Sequence, residues 1–415
     1  MGEPFPPEGL LLEQARTLIL EQLEPLAAYE QLPLAACLGR VCAEAVFAVE
    51  AIPGFRAAIM DGYAIAADHP PQVGNYWRLV GSSAAGAPYA AALAQGEAVR
   101  ILTGAVVPEG SAWVLPQELV GLPQISQEKC VELLKPCGIN PWIRNSDEEA
   151  YQGQELLGAG KRIGVAELGR FASCGVNSLK VAKSVRLGLL ISGDELIRPG
   201  ISRAAGQIWE SNSVLLTGIL KKLGYQVTKQ IVVADEPVLL RQAMLDLANN
   251  CDVVVSTGGV SSGDTDWIRS LVAELGEVRF WKLFLKPGRP FAWGEVAGTP
   301  FFGLPGNPVA AVITALQLLW PALQRLEGGE IQSFPRFKVQ LEDQLQRNAG
   351  RPELMRAMLV VAANGALLAR LAGSQASSRI GSLEAADLLL EIPAEHTHFQ
   401  AGSELWAQLL RLPIF

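Results

Sequence analysis

Between about residues 185 and 328 short apolar runs alternate with amphipathic stretches, and that alternation leaves few folds open. VRLGLLIS is a continuous apolar run of strand length, CDVVVST reads as a buried strand, and YQVTKQIVVA and the short PFFGLP read as strands between them and the long helix. SNSVLLTGILKKLG, EPVLLRQAMLDLAN, TDWIRSLVAELG and the long run from Val309 have helical spacing, with Asn, Ser, Pro or Gly punctuating their ends. Strand and helix in succession predict a doubly wound, mostly parallel sheet with helices on both faces. In such a sheet ligands bind in the crevice beyond the carboxyl ends of the strands, so the residues after each predicted strand are where chemistry belongs.

VRLGLLIS runs into Gly193, Asp194 and Glu195, which taken alone fits a helix cap as well as a ligand contact. CDVVVST runs into GGVSSGDTDW, where Gly258, Gly259 and Gly263 frame Ser261 and Ser262 and precede Asp264 and Asp266 at a helix start. Glycines let backbone N–H groups face an anion, and the helix N-terminus adds partial positive charge. Asp266 would repel a bare phosphate but suits one bridged by Mg2+. The loop matches neither GxxxxGK[ST] nor GxGxxG. WKLFLKPGRPFAWG sets Lys282, Lys286 and Arg289 around a stiff Pro-Gly turn, which predicts an anion-facing loop. LPGNP places Pro305, Gly306, Asn307 and Pro308 before the long apolar helix; Asn307 is the predicted N-cap, Pro308 the first helical residue, and Gly306 the point of close backbone approach.

The flanks read differently. Residues 10 to 24 have amphipathic helical spacing, and Pro25, Pro33 and Gly39 punctuate a predicted second helical turn. From about Pro53 to Asp147 short alternating runs between Gly and Pro clusters predict a small β module, with a loop over 81–96. Helical spacing returns over 148–182, so the β module is expected to be inserted into the first domain. After Gly329 five runs, RFKVQLED, LMRAMLVVA, ALLARLAG, DLLLEIP and ELWAQLL, predict a C-terminal β-barrel-like module. The expected domains are 1–53 with 148–182 (a linker and dimerisation domain), 54–147 (inserted β), 183–328 (α/β) and 329–415 (C-terminal β).

Composition narrows the chemistry. Apolar residues make up 49% of the 415 and charged residues 18%, which excludes a disordered chain. The net charge of −8, from 34 basic and 42 acidic residues, has the wrong sign for nucleic acid or anionic lipid. Six cysteines without a CxxC pair and three histidines without HExxH argue against a disulfide scaffold, a structural zinc site and a Ser-His-Asp triad. Chemistry must then rest on carboxylates, lysines and backbone amides. The N-terminus lacks the basic start and cleavage site of a secretory signal, and the run Val309 to Leu319 is shorter than a membrane span needs, so the expected location is cytoplasmic.

Taken in order, MDGYA, LTGAVVP followed by Glu118, SGDEL, GQIWESN, GGVSSGDTDW, KPGRP and LPGNP resemble the MoeA family, the molybdopterin molybdenumtransferases related to the gephyrin E domain. The resemblance runs from about residue 8 to the C-terminus. It implies a homodimer of L-shaped, four-part subunits that binds adenylylated molybdopterin, inserts molybdate at the dithiolene with Mg2+ assisting, and releases AMP. It also implies transient contact with the molybdopterin adenylyltransferase and with molybdoenzyme chaperones. Position by position, it assigns catalytic roles to Asp61, Thr103, Glu195, Asp235, Asp266, Lys282 and Lys286, with Glu195 and Asp266 as the Mg2+ ligands. Gly258, Gly259, Ser261, Gly263, Arg289, Pro305, Gly306, Asn307 and Pro308 would bind substrate, and Arg356 and Ser377 would contact an oxyanion. Asp61 would reach into the partner subunit's cleft.

The sequence departs from the family where Ala57, Ala58 and Ile59 replace Asn-Ser-Ala before MDGYA, where Ala310 replaces a small hydroxyl residue, at Ala112 and Trp113 before Glu118, and at Glu149. These bear on substrate contacts or rate more than on fold. Two other readings share parts of the pattern: a pyridine-nucleotide deamidase built on the same α/β domain, and a non-catalytic dimeric scaffold. The first does not explain KPGRP, LPGNP and MDGYA together, and the second has no need of paired acids opposite a cationic loop.

Overall fold

Strands Leu187–Ser192 and Val253–Thr257 are buried along their whole length, as strands covered on both faces must be. In the computed structural model, which describes residues 8–125, 127–259 and 267–411, they lie at the centre of a six-stranded sheet. Its order is Val227–Val233, Leu187–Ser192, Val253–Thr257, Thr299–Leu304, Ala292–Val296, Gly276–Trp281. The first four strands are mutually parallel and Ala292–Val296 runs antiparallel to both neighbours.

Alternation along the strands sorts the side chains into two layers. Leu187, Leu189, Ile191, Val253 and Val255 pack with helix Asn212–Lys222, the run 308–326 and the N-terminal helix Leu12–Gln22. Leu190 and Val254 pack on the other face with helices Pro237–Asn250 and Trp267–Leu275. The sequence reading did not find the two strands at the far edge. Their signal is the period-two pair Phe291 and Trp293, which packs with Phe280 and Phe302 at ring separations of 4.7–6.5 Å. Trp293 is buried and donates its indole N–H to Gln22 Oε1 at 2.9 Å, tying the N-terminal helix to the sheet.

The run 308–326 is apolar and long enough to cross a membrane by length, but 94% of it is buried inside the fold, as a core helix is. It widens to π geometry over Ala315–Leu319. Pro321 has no N–H to offer the Gln317 carbonyl, and Arg16 Nε donates to that oxygen instead at 3.0 Å.

Five strands after residue 335 close into a barrel in the order Arg336–Leu341, Leu367–Leu371, Glu353–Val361, Leu388–Ile392, Glu404–Leu409. Each corresponds to one of the five apolar runs read from the sequence. Residues 57–144 carry a separate sheet whose main path is Trp113–Pro116, Gly62–Ile65, Glu97–Ile101, Tyr76–Ser83, Glu128–Leu133, Val120–Gly121. The chain enters and leaves this region through adjacent antiparallel segments, Ile52 against Ala150 and Ala57–Ala58 against Ile143–Arg144. Three local expectations are corrected. The second helical turn after Pro25 is a strand, Tyr29–Pro33, with a short 3-10 turn, and it pairs with Ser178–Ala182. Residues 148–182 hold one helix, Val165–Ser173, and two strands. The loop expected over 81–96 begins inside strand Tyr76–Ser83.

Candidate active site

The chain runs outward from Leu187–Ser192 to Val227–Val233 and then back across to Val253–Thr257, so the switch in direction falls beside the first strand. Beyond the carboxyl ends there, a cavity of about 980 Å³ opens between the sheet and the C-terminal barrel. Its floor is the turns at the strand ends. Gly258 has φ +90°, and a Cβ on it would stand 2.4 Å from the Ser192 carbonyl oxygen, so the two turns approach more closely than any side chain permits. A Cβ on Gly306 would meet Gly258 Cα at 3.6 Å, an ordinary contact, so Gly306 is less constrained than its motif suggested.

One wall is acidic and polar. Glu195 and Asp235 line it, and Asp235 N–H donates to Asp194 Oδ1 at 3.0 Å. Burial, with the charges of Asp194 and Glu195, raises the Asp235 pKa, while the Ser192 hydroxyl facing it works the other way. Among the described residues no bond of good geometry forms between those two groups, and Ser192 Oγ and Asp235 Oδ1 are buried atoms without a hydrogen-bond partner. Asn212 Nδ2 donates to Thr257 Oγ1 at 2.7 Å and to Gly306 O at 2.8 Å, which pins helix Asn212–Lys222 to two of the turns; its Oδ1 is likewise buried and unpartnered. Glu210 accepts the Ser213 backbone N–H at 2.7 Å and the Ser213 hydroxyl, holding a carboxylate at the N-terminus of that helix.

The opposite wall is cationic. Lys286 and Arg289 line it on the Pro-Gly turn, and Arg351 joins them from the barrel side. The turn is stitched to the barrel: Lys286 N–H donates to Pro352 O, Leu354 N–H donates to Lys286 O, and Arg351 Nη1 donates to Leu285 O, each at 2.9 Å. Lys286 Nζ lies 3.1 Å from the buried Glu353 carboxylate. Burial and the nearby Arg289 push the Arg351 pKa down, so positive charges are held together here at a cost that an anion would relieve.

Asn307 occupies the N-cap position, but its side chain makes no capping bond. The Ser377 carbonyl accepts the Val309 N–H at 3.1 Å instead, so a barrel loop closes the helix N-terminus and Asn307 is left lining the cavity. Gly258, Gly259, Glu195, Asp235, Lys286, Arg289, Pro305, Gly306, Asn307, Pro308 and Ser377 all line this one cavity.

Four assigned residues do not. Lys282 is partly buried and is not among the lining residues. Arg356 is fully buried behind the barrel loop, donating to Ser382 Oγ at 3.0 Å and to the carbonyls of Ser374 and Ala376, with Nη1 unpartnered. It braces the loop that carries Ser377 and does not face the crevice. Asp61 and Thr103 belong to the separate sheet of residues 57–144, where Asp61 Oδ1 accepts the Thr103 N–H at 2.7 Å and its hydroxyl at 2.8 Å. Those two bonds, with a smaller contribution from Arg100, hold the Asp61 pKa below the usual aspartate value. Ser261, Gly263 and Asp266 lie outside the described residues.

Sequence reasoning missed Arg351, Gln375 and Trp209 as lining residues and gave no role to Asn212 or Glu210. GQIWESN was noted as a motif and could have yielded three of them. The Gly-Arg-Pro of 350–352 repeats the chemistry of the KPGRP turn.

The profile of the MoeA N-terminal region (domain I and II) matches residues 10–175, that of the "Probable molybdopterin binding domain" matches 188–325, and that of the MoeA C-terminal region (domain IV) matches 338–410. A molybdopterin molybdenumtransferase of Haemophilus influenzae is 32% identical over 394 residues, spanning 95% of this chain and 96% of that protein. The chain belongs to the MoeA family. Gephyrin of Dictyostelium discoideum is 29% identical across 96% of the chain, which spans 62% of that longer protein. The solved structure of a MoeA protein from Pyrococcus horikoshii superposes with a TM-score of 0.78 at 26% identity, covering 97% of this chain and 99% of that one.

Proposed function

We propose that this MoeA-family protein is a molybdopterin molybdenumtransferase: it inserts molybdate into adenylylated molybdopterin and releases AMP. The observation that carries the reading is the single crevice with Glu195 and Asp235 on one wall and Lys286, Arg289 and Arg351 on the other, in a chain similar over its whole length to a protein of that name. A substrate with phosphates and an incoming oxyanion needs cations to hold it and oxygen donors for a bridging metal.

The donor set suits Mg2+. Among the described residues no three His, Cys, Asp or Glu side chains gather into a site, whereas Mg2+ characteristically takes one or two carboxylates and completes its shell with substrate phosphate and water. The unpartnered Asp235 Oδ1 and Ser192 Oγ beside Glu195 are oxygens of that kind. Mg2+ held by Glu195 and Asp266, with Asp235 adjoining, would supply charge neutralisation at the phosphate oxygens. The protein's own groups do the rest. Lys286, Arg289 and Arg351 bind and orient the anions, backbone amides at Gly258 and Gly259 line the floor, and the Ser377 loop closes the barrel side.

We further propose a homodimer in which Asp61 and Thr103 reach the partner subunit's crevice, a cytoplasmic location, and the four-part division given above. The pair is preorganised for such a role, since Thr103 orients an ionised Asp61. The test is Asp266→Asn and Glu195→Gln: both should fold and dimerise but release little AMP from adenylylated molybdopterin. Normal turnover in both would overturn the metal assignment.

A further inference from the structure

Among the described residues, Trp209 is the one aromatic that lines the crevice. It sits on a short ribbon in which Ile208–Trp209 pairs in parallel with Leu196–Ile197, directly after the first strand of the sheet. Ile208 N–H donates to Glu195 O and Glu210 N–H to Ile197 O, each at 2.8 Å, so the ribbon's register is tied to the acidic wall. The indole itself is held. Its Nε1–H donates to Ile201 O at 3.1 Å, and the Arg203 guanidinium lies 4.3 Å from the ring centroid. Trp209 is nevertheless 49% exposed. A large ring fixed in orientation and half open adds little to the core, and among the described residues its only ring or side-chain hydrogen-bond partners are Ile201 and Arg203.

We infer that Trp209 is a specificity-determining platform on which a bicyclic aromatic heterocycle of the substrate stacks. The inference rests on the transferase reading, in which the substrate carries two such rings, a pterin and an adenine. Offset stacking on an indole is geometry-specific but tolerant of ring identity, and Arg203, 4.3 Å from the ring centroid, adds charge that suits an electron-rich heterocycle near phosphate. Glu195 on the paired strand would then meet the phosphates while Trp209 meets a ring, and the ribbon would set their spacing.

The test is a titration of the full-length protein, of Trp209→Ala and of Trp209→Phe, followed by ligand-detected NMR. The probes are AMP, 6-hydroxymethylpterin and ribose 5-phosphate. The ring that stacks should show upfield-shifted protons on binding the native protein. It should bind Trp209→Ala about tenfold more weakly with that shift lost, and Trp209→Phe within about threefold of native. Loss confined to AMP identifies the adenine as the stacked ring, and loss confined to the pterin identifies the pterin. Ribose 5-phosphate, which has no ring, should bind all three proteins alike. Unchanged binding and shifts for both rings in Trp209→Ala would overturn the inference and leave the transferase reading standing. An equal loss of ribose 5-phosphate would also overturn it, by showing that the substitution collapses the ribbon. A native protein that binds neither ring would overturn the transferase reading, and the inference with it.

Discussion

Removal of the Glu327 carboxylate should destabilise the protein by about 3 kcal/mol. Glu327 is 8% exposed and its Oε2 accepts from Arg162 Nη2 at 2.7 Å and from the Tyr225 hydroxyl at 2.9 Å. Burial alone would lower the Arg162 pKa, but Tyr225 and Glu327 outweigh it and hold the guanidinium charged. Glu327→Ala therefore strands a charge that cannot be shed. Breaking a buried pair costs roughly 3–5 kcal/mol, and the lower end applies because Arg162 retains Gly39 O at 2.5 Å and the Tyr225 oxygen at 3.1 Å. Tyr225→Phe removes two hydrogen bonds to charged groups, one donated to Glu327 and one accepted from Arg162, and should cost at least roughly 1.5–3 kcal/mol. Arg162→Met combined with Glu327→Leu removes both charges and should recover most of the loss. Urea unfolding at neutral pH, followed by near-ultraviolet circular dichroism, measures all three from the midpoint at constant slope. A Glu327→Ala loss below about 1 kcal/mol, or a double variant no more stable than Glu327→Ala, would refute the reasoning.

Gly258→Ala should leave the sheet folded but weaken AMP binding more than about tenfold in the titration above. The added Cβ meets a backbone carbonyl at positive φ, and neither can rotate away. Binding unchanged from native would contradict the close approach of the two turns. Asp235→Asn should raise the thermal midpoint at neutral pH while lowering turnover. The raised Asp235 pKa means that the folded state disfavours the charge, so stability falls as pH rises through the folded value and the variant's advantage disappears in acid. An advantage that persists in acid would show that its source is not this charge. Asp61 works in the opposite sense, contributing stability above the ordinary aspartate value and losing it only as pH falls through its depressed folded value. Thr103→Val removes the hydroxyl bond and keeps the larger backbone one, so it should move the Asp61 titration, followed by carboxyl NMR, part of the way up toward that ordinary value; an unmoved titration would exclude the Thr103 hydroxyl as a contributor.

The parallel half of the sheet was legible because Leu187–Ser192 and Val253–Thr257 each open on an apolar run and end in glycine turns. The five barrel strands were legible from alternation and turn residues. The antiparallel pair at the sheet edge was not, because Lys282, Lys286 and Arg289 drew attention to charge in a segment whose aromatic alternation carries the strand signal. Most of the crevice could be named in advance, since turns at strand ends need no long-range information. Arg356 and Lys282 could not be placed, because sequence gives a residue type but not which side of a loop it supports. Arg351 comes to the crevice only through the docking of the barrel on the Pro-Gly turn, a tertiary contact no local pattern encodes. Asn307 shows a limit of a different kind: the motif predicted the cap position correctly, but a carbonyl from the barrel does the capping.

The most direct test of the central claim is AMP release from adenylylated molybdopterin by the purified protein, measured with and without molybdate and Mg2+. The transferase account predicts release that requires both. No release from a folded dimer that still binds the pterin would contradict it and would point to Ala57, Ala58 and Ile59 as the substitutions that turned an enzyme into a carrier or scaffold.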